Sequence, residues 1–191
     1  MRIAVYCASS TKIHPDYAAA ATELGSEMAR RGIGLINGAG NMGLMAATSN
    51  GALAHGGEVT GVIPRFMVDN QWHHEHLTHL IVTKDMHERK QTIATMSDAC
   101  IALPGGCGTL EELMEVITWK QLGLYLKPIV ILNLRGYYDP LLQQLQRGID
   151  EHFMRALHAR LWCVATTPTE AIDLAVATPM WDPAFSKSAA I

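Results

Sequence analysis

The stretch CIALPGGCGTLEE, residues 100–112, is the one from which the fold of this chain is read. Cys100 to Leu103 are apolar at every position. A strand built from them must be covered on both faces, which is the situation inside a parallel sheet. Pro104, Gly105 and Gly106 then turn the chain, and from Thr109 the pattern becomes helical. Strand, glycine turn and helix together make half of a βαβ unit.

The same alternation runs through the rest of the chain. Further apolar, β-rich runs occur at residues 3–7, 34–36, 59–63, 80–83, 129–132 and 162–165. Helical patterns occupy 16–31, 44–55, 85–97, 109–122, 138–151 and 169–177. The first helix opens after His14-Pro15, and proline suits a first turn. Gly32 is placed to stop it. No internal repeat or linker interrupts the series. The expectation is an α/β fold, a doubly wound parallel sheet of about seven strands with helices on both faces, in a single domain over residues 1–178. Residues 65–78 form the one long connection, a candidate lid or rim. The tail at 179–191, with Pro179 and Pro183, is expected to be flexible.

Composition narrows the function classes. The chain has 191 residues, 49% hydrophobic and 17% charged, as in an ordinary soluble globular protein. Its formal net charge of −3 gives no overall attraction to nucleic acid or to an anionic membrane. No apolar run approaches the ~20 residues of a membrane span, and MRIAVYCASS is too short and too quickly polar for a signal peptide. Cys7, Cys100, Cys107 and Cys163 form no C-x-x-C pair, so they read as free thiols in a reducing cytoplasm.

In a parallel sheet the loops leaving the strand C-termini gather on one edge, and ligands bind there. Those loops are 8–12, 38–43, 64–65, 84–90 and 104–109. Gly38-Ala39-Gly40-Asn41-Met42-Gly43 matches G-x-G-x-x-G. It follows the second strand rather than the first, and the next strand ends in Pro64-Arg65 instead of an acid. It therefore reads as a phosphate or nucleotide contact, or as a plain tight turn, rather than as a dinucleotide fingerprint. Gly105, Gly106 and Gly108 can shape an anion-binding nest at a helix N-terminus. No G-K-[ST] follows, so this is not a Walker loop. Thr109-x-x-Glu112 has the spacing of a capping box, with the threonine as cap and the glutamate reaching back. Two acids beside an anion nest call for a further reason, because an anion there would repel them.

Asp85-Met86-His87-Glu88-Arg89-Lys90 opens a helix on the same edge. Adjacent cations in a first helical turn oppose the helix dipole, which favours a phosphate or substrate partner for them. His87-Glu88 is not a zincin motif, since Gln91 stands where the second histidine would be. His73, His74, His76 and His79 lack metal-ligand spacing and read as a pH-sensitive rim, not a metal site. Cys107 has the exposed position of a nucleophile, but sequence places no histidine beside it.

The pairing of LPGGCGTLEELMEVITWKQLG, which fits PGGxGTxxE, with the upstream MHERK, which fits M-x-x-R-K, resembles the Lonely Guy family of cytokinin riboside 5′-monophosphate phosphoribohydrolases, long mislabelled lysine decarboxylases. The resemblance extends from VYCASS to at least LNLRGYYDPLL. It implies a Rossmann-like fold, a homodimer with sites near the subunit interface, and hydrolysis of the N-glycosidic bond of N6-substituted adenosine monophosphates or AMP. By the same resemblance Arg89 and Glu112 would be the catalytic pair. Ser9, Gly40, Lys90, Gly105, Gly106, Cys107, Gly108, Thr109, Glu111 and Thr118 would bind the nucleotide. The chain departs from the family pattern where Ala8, Ala39 and Ala46 stand in place of glycines.

Cleavage of the ribose–adenine bond builds oxocarbenium-like charge on the sugar. A carboxylate beside the anomeric carbon can stabilise that charge or take a proton from water. Glu112 is assigned this role, with Arg89 holding the phosphate or orienting the glutamate. No metal or cofactor is expected. The rival readings are a non-catalytic nucleotide or molybdenum-cofactor carrier on the same fold and, less well matched, a pyridoxal-phosphate decarboxylase, which would need a Schiff-base lysine and an acidic partner for the ring nitrogen. Met114, Trp119, Leu122 and Leu124 spread apolar character over more than one face of the helix after Glu112. That suits a dimer contact or an ordinary buried helix.

Overall fold

The computed structural model describes residues 1–185. Seven strands form one sheet: β1 (Arg2–Tyr6), β2 (Gly34–Asn37), β3 (Val59–Pro64), β4 (His79–Thr83), β5 (Ala99–Ala102), β6 (Ile129–Leu132) and β7 (Cys163–Ala165). Between and after them run α1 (Pro15–Arg30), α2 (Gly43–Leu53), α3 (Arg65–Asp69), α4 (Met86–Met96), α5 (Cys107–Gln121), α6 (Asp139–Asp150) and α7 (Pro168–Ala177). The strand order is β4-β3-β2-β1-β5-β6-β7, and every pair is parallel. The chain walks outward from β1 to β4, then crosses back to lay β5 on the other side of β1. The loops after β1 and β5 therefore diverge at a topological switch point, where such sheets open a crevice.

The inner strands β1, β5 and β6 are largely apolar because successive side chains enter two different cores. Ile3 and Val5 of β1, with Ile101 of β5, pack under α1, α2 and α7. Ala4 and Tyr6, with Cys100 and Ala102, pack under α4 and α5. Both layers are closed to solvent, with Leu24, Met28 and Ile172 on one side and Ile93 and Leu113 on the other at 0% exposure.

Gly32 stops α1 as expected. It adopts φ +67, and the Ile33 N–H donates to the Met28 carbonyl at 2.9 Å, which closes the helix end. Helices α1 and α2 cross with their backbones in contact, since a Cβ on Gly25 would lie 2.0 Å from the Thr48 carbonyl oxygen.

Two regions differ from the sequence reading. The long connection 65–78 contains α3, a five-residue helix with no buried residue and hence no apolar period to reveal it. The segment after α3 lies over the glycine loop: the Asn41 N–H donates to the Trp72 carbonyl at 3.0 Å and the His74 N–H to the Ala39 carbonyl at 2.8 Å. The tail expected from residue 179 begins with packed chain. Trp181 is 7% exposed, and its backbone N–H donates to the Leu126 carbonyl at 2.6 Å. Residues 186–191 of that tail lie outside the described residues. Among the described residues no helix is long and apolar enough to cross a membrane.

Candidate active site

A cleft of about 350 Å³ opens at the switch point. Its walls come from the loop after β1 (Cys7, Ala8, Ser9, Ser10), from Gly38 after β2, from Met67 on α3, from Met86 and Arg89 on α4, and from Gly106, Gly108, Thr109, Glu111 and Glu112 at the start of α5. The two sides are stitched together behind it. The Ala8 N–H donates to the Pro104 carbonyl, and the Ala8 carbonyl accepts from the Leu44 N–H at 2.9 Å. Gly43, at φ +62, lies against the Ser9 carbonyl group, which a Cβ there would meet at 2.4 Å.

Helix α5 begins three residues earlier than the capping-box spacing predicts, and the box does not form. Its N-cap is Gly106, extended at φ −84 and ψ −157, with no side-chain cap. Thr109 sits inside the first turn, 4% exposed, and leans on Gly105, where a Cβ would come within 2.1 Å of its hydroxyl. Glu112 turns to Arg89 instead of back to the cap. The local spacing thus loses to a tertiary partner. The consequence is chemical: with no capping side chain over the first turn, its unpaired N–H groups begin at the cleft wall, where they favour an anion.

Arg89 is 7% exposed and held on three sides. Its Nε donates to the Val62 carbonyl at 3.0 Å, Nη2 to the Gly38 carbonyl at 3.4 Å, and Nη1 to Glu112 Oε1 at 3.1 Å. Asp85, the N-cap of α4, fixes the helix start by accepting from the Glu88 N–H at 2.8 Å. Burial pushes the Glu112 carboxyl above its ordinary pKa; Arg89 pulls the other way and Glu111 adds to the rise. The ion pair alone would lower it, but at this depth the cost of desolvating the carboxylate is larger.

The cations of α4, expected to face a phosphate, turn toward the acids of α5. Lys90, 8% exposed, donates to Glu111 and, at 3.1 Å, to Glu115. Burial works to lower its pKa, and the two carboxylates outweigh that, so the ammonium is held above its usual range.

Of the residues expected to bind nucleotide, Ser9, Gly106, Gly108, Thr109 and Glu111 stand on the cleft wall together with Arg89 and Glu112. Gly40 lies aside, bridged to His73. Gly105 faces a small neighbouring recess lined also by Tyr17 and Tyr137, and its carbonyl accepts from the Tyr137 hydroxyl at 2.7 Å. Lys90 stands behind Glu111. Cys107 is an exposed first residue of α5, and Thr118 is exposed farther down that helix, with its hydroxyl on the Met114 carbonyl at 2.7 Å. Sequence reasoning misses Met45 and Met67 on the wall. Isolated methionines in a small-residue helix and in a five-residue helix that buries nothing carry no signal of their own.

Among the described residues no cluster of His, Cys, Asp and Glu is arranged to hold a metal ion. His74 Nε2 instead meets Asn50 Oδ1 at 2.9 Å, and His79 approaches Glu58 at 3.4 Å. Burial, with His76 nearby, keeps the His74 pKa below its ordinary value.

A buried guanidinium–carboxylate pair beside glycine amides at a helix N-terminus can hold an anion at one end and act on a bond at the other. The sequence is related to those of known proteins. A family model described as "Possible lysine decarboxylase" matches residues 45–175. The chain is 43% identical over 188 residues to the cytokinin riboside 5′-monophosphate phosphoribohydrolase LOG7 of Arabidopsis thaliana, covering 97% of this chain and 86% of that protein. It is 43% identical over 171 residues to the phosphoribohydrolase LOG of Oryza sativa subsp. japonica, covering 90% and 71%. Among solved structures, the molybdenum cofactor carrier protein of Chlamydomonas reinhardtii superposes with a TM-score of 0.71 at 25% identity, covering 90% of this chain and 93% of that one.

Proposed function

Because the chain belongs to the Lonely Guy family of cytokinin riboside 5′-monophosphate phosphoribohydrolases, we propose that it hydrolyses the N-glycosidic bond of adenosine 5′-monophosphates, N6-substituted or plain, releasing free base and ribose 5-phosphate. The observation that carries this reading is the Arg89–Glu112 contact at 3.1 Å inside the cleft.

The 5′-phosphate rests on the first-turn amides of α5 at Gly106, Gly108 and Thr109, where the helix dipole favours negative charge. The ribose then lies over Glu112. As the bond from C1′ to the base nitrogen breaks, the electron pair leaves with the base, which takes up a proton from solvent, and positive charge spreads over C1′ and the ring oxygen. The Glu112 carboxylate stabilises that charge and accepts a proton from the water whose oxygen bonds to C1′. Arg89 holds the carboxylate in place. Glu111 is kept off the anion by Lys90. Met45, Met67 and Met86 give the cleft apolar, adaptable walls suited to a base and its substituent.

The protein acts as a homodimer of single-domain chains, the domain taking in residues 1–178 and the packed Trp181 beyond them, in the cytoplasm, without nucleic acid or membrane partners. Support for the dimer comes from Leu122 and Leu124, 53% and 73% exposed at the end of α5, beside an apolar recess that includes Trp119 and Met180. The four unpaired cysteines agree with a reducing compartment.

A second reading, a cofactor carrier, is favoured by the likeness to the Chlamydomonas carrier. A carrier has no need of a carboxylate paired to arginine over its ligand. Incubating the protein with AMP and with isopentenyladenosine monophosphate separates the two. Free adenine or free N6-isopentenyladenine is expected; tight binding of either nucleotide without release of base would favour the carrier.

A further inference from the structure

Residues 71–76 form a strap that is bonded to the glycine loop 38–43 at several points. The Asn41 N–H donates to the Trp72 carbonyl at 3.0 Å, the Asn41 side-chain amide to the Gln71 carbonyl at 3.1 Å, and the His74 N–H to the Ala39 carbonyl at 2.8 Å. Gly40 and His73 form an antiparallel bridge between these contacts. The His74 ring ties the strap to α2. Its Nδ1 accepts from the His76 N–H at 3.2 Å, which leaves the ring proton on Nε2, and Nε2 donates to Asn50 Oδ1 at 2.9 Å. Burial and the neighbouring His76 hold the pKa below the ordinary histidine value, and so keep the ring in the neutral form in which Nδ1 accepts.

The strap holds a strained backbone. Ala39 is fully buried at φ +60, the left-handed region that a residue with a Cβ enters at a cost. Two bonds keep it there: its N–H donates to Asn37 Oδ1 at 2.9 Å, and its carbonyl accepts from His74. The torsion φ of Ala39 turns the peptide that carries the Gly38 carbonyl. That carbonyl is one of the three acceptors of Arg89, taking Nη2 at 3.4 Å. The guanidinium also fills the space that a Cβ on Gly38 would need.

We propose that His74 is a positioning residue for the cleft. By pinning the strap to α2 it holds the glycine loop on its strained path, and through the Gly38 carbonyl it sets the direction of Arg89 toward Glu112. The effect on turnover rests on the proposed hydrolysis; the seating of Arg89 does not.

Two readouts on the intact protein test it. The first is the NMR signal of the Arg89 Nε–H, identified by its absence in Arg89→Met, which reports the guanidinium whether or not AMP is hydrolysed. The second is the kinetics of adenine release from AMP. His74→Ala should shift the Arg89 signal and lower kcat between about 10- and 100-fold. KM should change little, because the phosphate rests on α5, which the strap does not hold. His74→Gln, whose amide can still donate to Asn50, should recover most of kcat. Asn50→Ala, which removes the acceptor of the same bond, should behave as His74→Ala does, and it carries the comparison if His74→Ala loses its near-ultraviolet dichroism. Glycine adopts φ +60 without steric cost, so His74→Ala should lose less kcat in an Ala39→Gly background than in the wild type. An unmoved Arg89 signal in folded His74→Ala and Asn50→Ala would overturn the proposal. So would an unchanged kcat in both, a His74→Gln as slow as His74→Ala, or an equal loss with and without Ala39→Gly. If the wild type releases no adenine, the hydrolytic reading fails and the Arg89 signal alone decides the role of His74.

Discussion

Arg89 Nη1 lies 3.1 Å from Glu112 Oε1, with the two side chains only 8% and 11% exposed. A buried ion pair of this kind is a weak source of stability, because desolvation offsets most of the attraction. The pair stands on the cleft wall, where the proposed mechanism uses the carboxylate. Glu112→Gln preserves shape and leaves an oxygen for Arg89 while removing the negative charge. Hydrolysis of AMP should fall by about 10²- to 10⁴-fold, with the chain still folded by circular dichroism. Near-normal adenine release from the purified variant would remove Glu112 from the mechanism.

The direction of the Glu112 shift sets the pH profile. In the proposed mechanism hydrolysis uses the ionised carboxylate, and burial raises its pKa. The acid limb of kcat/KM should therefore lie above the ~4.3 of an ordinary glutamate, with activity lost as pH falls through that limb. Arg89 opposes the rise, so Arg89→Met should move the limb to still higher pH as well as lower the plateau. A limb that stays in place in Arg89→Met would mean that another group controls it.

Gly38 seats the guanidinium. A Cβ there would lie 1.8 Å from Arg89 Nη2 and 2.9 Å from Cζ, so Gly38→Ala must displace the arginine head. Gly38 keeps an ordinary backbone conformation, being absent from the positive-φ glycines, and the substitution should leave the sheet intact. Misplacing a catalytic group by about 1 Å can cost on the order of 100-fold. A fall in kcat of roughly that size, with little change in melting temperature, is expected. Unchanged kcat would mean that the position of Arg89 is not critical.

The sheet is legible in the sequence because several of its strands are apolar on both faces and are bounded by turn residues, as in residues 100–106. Helix α3 is not, since a five-residue helix that buries nothing has no period. The Thr109-x-x-Glu112 spacing mimics a cap because local rules cannot register a partner 23 residues upstream. For the same reason chemistry and resemblance name Arg89 and Glu112, whereas the seat of Arg89 on Gly38, 51 residues away, is invisible to them.

The crossing of α1 and α2 provides a test of how closely packing far from the cleft is tied to it. Gly25 would place a Cβ 2.0 Å from the Thr48 carbonyl oxygen, and Gly51 would place one 2.2 Å from that of Thr22. The helices meet there along their backbones, joined by the Ser26 hydroxyl donating to the Gly51 carbonyl at 3.2 Å. Alanine favours a helix interior over glycine by about 1 kcal/mol, so Gly25→Ala at a free site would stabilise. Here the methyl group must push α2 away, and overpacking costs roughly 1–3 kcal/mol. The net effect expected is a lower urea midpoint at unchanged m-value. Because α2 starts at Gly43, which rests on Ser9 at the cleft wall, outward movement of α2 should also raise KM for AMP. A midpoint equal to or above that of the wild type would mean that the two helices can separate by a methyl width at no cost, and that the glycines are not what sets their spacing.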